Sequence, residues 1–359
     1  MRHTIFSVIV FGLAVSASEA QPRLYSIAGL GDPSGQAGSG TAINAAGHIA
    51  GWVAVFNTQD NSSYPHAVAF TAQGMADLGT LPLGAFNLSY GTAINTFDQI
   101  VGYSAGSTAG ATVQHAFLLT PGKPLLDLGA LLNPALTTAA TGINVWGTAV
   151  GYAFDGSTYS SWLYNGTMHT LPGTEQLGIS QAVAINDAGL VLVHLWPAQG
   201  GSQCYLWIAG AMVQLPVTTC VPAAISNAGY VTGDLYNGSY PHAFLYKLGD
   251  AAATDLGTLA PGIASAQSHA YAVNDAGTVV GTSVAPDGFN HAFVYTNGSM
   301  IDLNTAIPQG AAWAYLQTAT GINQNGQITG AGWIHIRGGS GPCIPGGDCV
   351  MRAFRLDPK

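Results

Sequence analysis

The sequence predicts an all-β protein, a seven-bladed β-propeller of four-stranded antiparallel blades whose ring is closed by an N-terminal strand that completes the last blade. Three observations predict it. One phrase returns seven times along the chain, each return opens a unit that divides into four short extended pieces, and the last unit stops one strand short while a strand-like segment stands free near the start.

The recurring phrase reads AINAAGHIAG at 42, AINTFDQIVG at 93, GINVWGTAVG at 142, AINDAGLVLV at 184, AISNAGYVTG at 224, AVNDAGTVVG at 272 and GINQNGQITG at 321. Spacings of 40 to 51 residues exceed a solenoid coil and match one propeller blade. In the sixth unit, AYAVN is a first strand, NDAG a turn, TVVGTS a second strand, VAPDGFN a loop, HAFVYT a third strand, NG a turn and SMIDLN a fourth. Apolar and β-branched residues between turn dipeptides are the hairpin signal. The asparagines at 44, 95, 144, 186, 274 and 323 are read as turn residues, since an Asn side chain bonds backbone two residues on and the glycine three later takes positive φ.

The seventh unit ends after RAFRLD from Arg352, and YSIAGL at 25 to 30 resembles ADLGTL at 76 to 81 position for position. Donating that segment to the last blade would leave no exposed sheet edge.

Composition narrows the function. Charged residues are 7% of the 359 and the net charge is -9, which removes the phosphate-neutralising charge that nucleic-acid binding needs. Residues 1–20 read as a signal peptide: Arg2 and His3, an apolar run from Ile5 to Val15, then Ser18-Glu19-Ala20. The run is too short to span about 30 Å of hydrocarbon. Residues 21–359 are expected as a single soluble propeller domain with no transmembrane span, secreted or periplasmic. Four cysteines in an exported chain imply disulfides. Cys343 and Cys349 enclose the turn-forming IPGGD, and Cys204 then pairs with Cys220. A metal site is disfavoured because neither pair has CxxC spacing and no His is close by in sequence.

A second phrase follows the first: HAVAF at 66, HAFLL at 115, HAFLY at 242 and HAFVY at 291. Four units carry a His and a downstream Asp together: His66 with Asp77, His115 with Asp127, His242 with Asp255, His291 with Asp302. The other three have neither, aligning Ser161 with Thr170, Cys204 with Gln214, and Arg352 with Ser26. Joint presence and absence predicts that the two positions touch. Folding HAFVYTNGSMIDL about Asn297-Gly298 sets Phe293 opposite Asp302 and His291 diagonal to it. These are read as structural hydrogen bonds, because acid-base or metal chemistry needs a third group and a cleft, and pairs on separate blades cannot converge. The chain resembles the HAF-repeat extracellular proteins of bacteria, named for the His-Ala-Phe tripeptide that stands unaltered at 115, 242 and 291. The resemblance implies export and repeat architecture, and no reaction.

The turns after first and third strands are short and share one face; the second-to-third loops and the blade-to-blade connections share the other, where variable loops usually carry function. Ligand-binding residues are expected there: Phe86, Tyr90, Trp313 and Tyr315, with Phe86, Tyr90 and Trp313 on blade connections, and Tyr64 and Tyr240. Their rings would stack on sugars near the central channel, the short-turn face leaving little room for a pocket. No GxSxG, HExxH, P-loop or EF-hand motif is present. Glu175 is the only glutamate after the signal segment, so carboxylate chemistry would fall to loop residues Asp60, Asp155, Asp234 and Asp287. The expectation is a non-catalytic secreted binding or scaffold module, monomeric, without cofactor or metal, meeting an extracellular glycan or protein partner. The alternative is a secreted polysaccharide hydrolase or lyase using loop Asp and His residues.

Overall fold

The computed structural model describes residues 25–359 except 32–35, 59, 109, 175–177, 198–199, 237, 309–310, 336–342 and 344–347. The expected signal peptide and Glu175 lie outside the described residues.

Seven four-stranded antiparallel sheets follow one another. Blade one runs Gly38–Ile43, Ile49–Asn57, Ser62–Thr71 and Gly74–Asp77, and blade six runs Ser268–Val273, Val279–Val284, Asn290–Thr296 and Ser299–Asp302. Blade seven takes Trp313–Ile322, Ile328–His335 and Cys349–Pro358 from the end of the chain and Tyr25–Leu30 from its start. The ring is thus closed as the sequence predicts. The pairing register differs from the sequence alignment: Gly29 faces Phe354, and Ser26 faces Asp357. Gly29 therefore holds the place that Asp77 holds opposite Val68 in blade one. No hairpin turn joins this strand to its partner, so sequence likeness alone could not fix the register. Among the described residues, helix is confined to one turn at Leu128–Leu132 and a 3-10 turn at Leu303–Ala306.

The core lies between blades. Phe117, Phe244 and Phe293, the HAF aromatics, and Phe354 of the RAF in blade seven are fully buried; Phe354 clusters with Val280, Ala292 and Val294 of the preceding blade. A small residue on the second strand makes room for each ring. At Gly281 an added Cβ would lie 1.9 Å from the His269 carbonyl oxygen and 2.8 Å from the Phe293 ring. In blades three and four the same place is filled by Trp162 and Tyr205, which face Gly151 and Val193. The positions equivalent to the histidine are therefore Ser160 and Gln203, one residue before the Ser161 and Cys204 read from the sequence. Trp162 is fully buried in that inter-blade site, whereas Tyr205 is only partly buried; in both blades the ring keeps the register of the phenylalanine.

Each first strand has a bulge, at Thr41, Thr92, Thr141, Val183, Ala223, Tyr271 and Thr320. The bulged residue leaves the ladder, and four threonines use that freedom. Thr41, Thr92, Thr141 and Thr320 donate to the carbonyls of Gly91, Ala140, Ala182 and Gly40 on the next blade, at 2.6 to 2.8 Å. The turn asparagines add a second belt. Asn44 accepts from Ala46 and His48 backbone N–H, as a turn residue should, and its Nδ2 donates onward to the Asn95 carbonyl at 3.0 Å. Asn95, Asn144 and Asn186 repeat the step to the carbonyls of residues 144, 186 and 226, Asn274 reaches Asn323, and Asn323 returns to Asn44. Ser226 stands where blade five needs an asparagine.

Both disulfides form, Cys204–Cys220 and Cys343–Cys349. Such cross-links are consistent with an oxidising, extracytoplasmic setting. Among the described residues no helix is long and apolar enough to cross a membrane.

Candidate functional site

The four His/Asp pairs are in contact, through Nδ1 at 2.9 Å in His66–Asp77 and His115–Asp127, 3.0 Å in His242–Asp255 and 2.7 Å in His291–Asp302. Phe293 faces Asp302, so the His lies diagonal to the Asp on one face of the hairpin. Their surroundings differ. His115 is buried and its Nε2 meets the Pro134 carbonyl. The pairs at His66 and His242 sit nearer solvent.

His291 is set apart by a second carboxylate. Its Nε2 lies 3.1 Å from Asp287 while its Nδ1 holds Asp302. The loop explains the approach: Ala285 N–H bonds the Phe289 carbonyl, Gly288 N–H bonds the Ala285 carbonyl, and the Asp287 side chain accepts from Phe289 N–H. Gly288 sits at φ +85, a conformation glycine adopts without strain, and the curl returns Asp287 over the strand that starts at Asn290. Asp302 is fixed in turn by the backbone N–H and Nδ2 of Asn304. Asn304 also bonds both backbone groups of Leu316, at 2.6 and 2.9 Å, locking blade six to the strand that carries Trp313 and Tyr315.

His291 and Asp287 line a cleft of about 460 Å³ with Phe289, Asn304, Ile307, Trp313, Tyr315, His335 and Cys343. The Tyr315 ring centre lies 6.1 Å from His291 and 6.3 Å from Phe289. The hydrogen bond to Asp302 raises the His291 pKa above the ordinary imidazole value against the opposing effect of burial, and the Asp287 charge adds to the rise. Burial would lift the Asp302 carboxyl, but hydrogen bonds from His291 and Asn304 outweigh it and hold it below the usual range. An acid, a base, and aromatic faces beside them are the elements of proton-transfer catalysis on a ring-shaped substrate.

The other expected binding residues are not brought together. Tyr90 stacks on Tyr103 at 5.2 Å and meets Trp52 edge-on at 5.7 Å; Tyr103, pushed up to about 12 by burial and by neighbouring tyrosines including Tyr90, continues toward Tyr152. Trp52, Tyr103 and Tyr152 escaped the sequence reading because they lie on second strands rather than loops. Tyr64 donates to Asp60, and Tyr240 stands exposed on blade five. Phe86, Tyr90 and Trp313 are residues of ten-residue first strands rather than of connections; the Phe86 side chain lies outside the described residues. Of the other loop aspartates, Asp155 caps its own turn and Asp234 pairs with His269 of the next blade at 2.7 Å.

Two further cavities were not anticipated. One of about 440 Å³ is lined by Ser202 and Thr219; Ser202 also contacts His194, which does not line it, yet the Ser202 hydroxyl donates to the Cys220 carbonyl, and burial pushes the His194 pKa down to about 4. That pair is committed to structure. The other, of about 550 Å³, opens on the short-turn face between blades two and three beside Trp146, Lys123 and Tyr164. The expectation of little room there is corrected: the PGKP turn of blade two (121–124) contributes Lys123 and Pro124 to the lining.

No family model and no curated relative matches the sequence. Two similar solved structures are a Mycobacterium tuberculosis puromycin-hydrolyzing peptidase, at 10% identity and a TM-score of 0.51 over 83% of this chain, and a puromycin hydrolase, at 13% and 0.52 over 90%. The likeness is one of fold, and this chain spans about half of each, 49% and 54%. It corrects the expectation of a non-catalytic binding or scaffold module. In those two hydrolytic proteins the matching region is about half of the chain, so a ring without a familiar catalytic motif gives no ground for reading the chain as inert.

Proposed function

We propose that the protein is an extracytoplasmic hydrolase, cutting a neutral polysaccharide in the cleft between blades six and seven. The observation that carries this reading is the placement of His291 between two carboxylates, Asp302 at 2.7 Å and Asp287 at 3.1 Å, beside the rings of Phe289, Trp313 and Tyr315. Stacking on a sugar face needs such rings, and a net charge of -9 disfavours anionic polymers. The resemblance to exported HAF-repeat proteins and the N-terminal segment support secretion, and the chain is taken to act as a monomer.

The roles follow from the contacts. Asp302 fixes the ring through Nδ1, so the proton to be given is the one on Nε2. A glycosidic oxygen entering between Nε2 and Asp287 takes that proton as the bond to the sugar breaks. Asp287, freed from the ring on its loop, takes a proton from the attacking water. Proton transfer of this kind contributes about 10²- to 10⁴-fold.

The test is the release of new reducing ends from a panel of neutral and acidic polysaccharides, with release of free amine followed from aminoacyl amides because the similar structures are named for hydrolysing puromycin. Cleavage of a neutral polysaccharide by the parent and its loss in Asp287→Asn supports the reading. Failure to cut any member, or equal cutting by the variant, overturns it.

A further inference from the structure

We propose that His335, Cys343 and Cys349 form a redox-gated metal site, in which reduction of the Cys343–Cys349 disulfide lets both thiolates and His335 Nδ1 hold one zinc-class ion. The site adjoins the cleft but does not depend on the hydrolase reading. Blade seven builds it: His335 ends the second strand and Cys349 opens the third, directly opposite in the ladder. Cys343 is tied back to Cys349 by the disulfide.

The geometry is already close to that of a bound ion. His335 Nδ1 lies 3.4 Å from the Cys349 sulfur and 4.0 Å from the Cys343 sulfur, and the three ligand atoms all fall within 4.8 Å of one another. Around a tetrahedral zinc, an N···S edge is about 3.5 Å and an S···S edge about 3.8 Å. The cysteine Cα atoms are 5.5 Å apart, so side-chain rotation alone opens the sulfurs to that separation. Among the described residues the His335 ring has no other hydrogen-bond partner, and an imidazole aimed only at two sulfurs is a ligand set more than a structural contact. The sequence disfavoured a metal because neither pair has CxxC spacing and no His is close by in sequence. His335 is eight residues before Cys343, and the strand pairing brings it in. The other disulfide, Cys204–Cys220, belongs to no such cluster among the described residues.

The chemistry balances with an external dithiol as reductant. Its thiolate attacks one sulfur to give a mixed disulfide, and its second thiol then displaces the other cysteine. The reductant leaves as a cyclic disulfide, and two protein thiols remain. Zinc binding expels their two protons to water. Three protein ligands leave a fourth position, and because His335 and Cys343 line the cleft, that position opens toward it, as in zinc sites that bind a water or a substrate oxygen. Thiolate and imidazole select Zn²⁺ over hard cations.

The full chain, reduced with dithiothreitol and desalted without oxygen, is titrated with Co²⁺ as the spectroscopic stand-in. The expected result is a thiolate-to-cobalt absorption that saturates at one ion per chain, is discharged by Zn²⁺, and is missing from the oxidised protein. His335→Gln keeps the disulfide and should weaken binding by at least about tenfold, since loss of even an outer-shell partner costs that much. Cys343→Ser should abolish the band. A reduced parent with no band, a His335→Gln protein that binds like the parent, or a band that survives Cys343→Ser would each overturn the site.

Discussion

At the scale of the residue, His291 differs from its three counterparts through one loop aspartate. Co-occurrence of His and Asp within single units made the pairing legible in the sequence, because two residues that vanish together usually share a contact. The second carboxylate was not legible, since it depends on the curl of residues 285–289, which no periodicity encodes. Asp287 is half exposed, so Asp287→Asn should change stability by no more than about 0.5 kcal/mol while lowering kcat/KM on the cleaved polymer by about a hundredfold or more. Melting curves and steady-state kinetics on one preparation check both. The His291–Asp302 pair also carries a pH signature. The raised His291 pKa means its contribution to stability is complete below the ordinary imidazole value of about 6.5 and is lost as pH rises through the folded value; the lowered Asp302 pKa means its contribution is complete above about 4 and is lost as pH falls through its folded value. The gap in melting temperature between the parent and His291→Gln should therefore be widest between about pH 4 and 6.5 and narrow on either side. A gap independent of pH would show that the pair does not titrate as described.

At the scale of the element, the strands and hairpins were readable because turn dipeptides punctuate them; Asn297-Gly298 turns with φ of 52° and 79°, as an Asn-Gly hairpin should. What the sequence hid was circumferential. The bulged threonines and the onward hydrogen bonds of the asparagines join residues some 40 to 50 positions apart, and a local reading of each asparagine as a turn former stops at its own blade. The fifth blade gives the test. Ser226→Asn supplies the amide that would donate toward residue 274, and it should stabilise by about 0.5 to 1.5 kcal/mol, the net worth of one hydrogen bond. Asn323→Ala, which breaks the same belt where the ring closes, should cost about 1 to 3 kcal/mol by stranding a buried partner. Urea melts of the two variants against the parent measure both.

At the scale of the whole molecule, seven units and a missing final strand sufficed to predict a closed ring, because the edge of an open sheet is costly. Residue-level register failed where no turn constrained it, at Ser26 and Gly29, and where another aromatic stands at the phenylalanine's register position, at Trp162 and Tyr205. Deleting the chain before Asp32 removes six strand residues paired with Cys349–Pro358. It should expose that strand and lower the melting temperature by well over the 2 to 4 °C that about 1 kcal/mol is worth in a chain of this size. Function is the harder inference from a ring, since propellers of similar shape serve within hydrolytic enzymes as large parts of them, and the chemistry must be read from one cleft. The measurement that tests that reading most directly is turnover of the cleaved neutral polysaccharide in ¹⁸O-labelled water, with the products weighed by mass spectrometry for the parent and Asp287→Asn. One ¹⁸O per bond cut is expected from the parent, and almost no labelled product from the variant over the same time. Unsaturated products without ¹⁸O, or equal labelled product from both proteins, would contradict it.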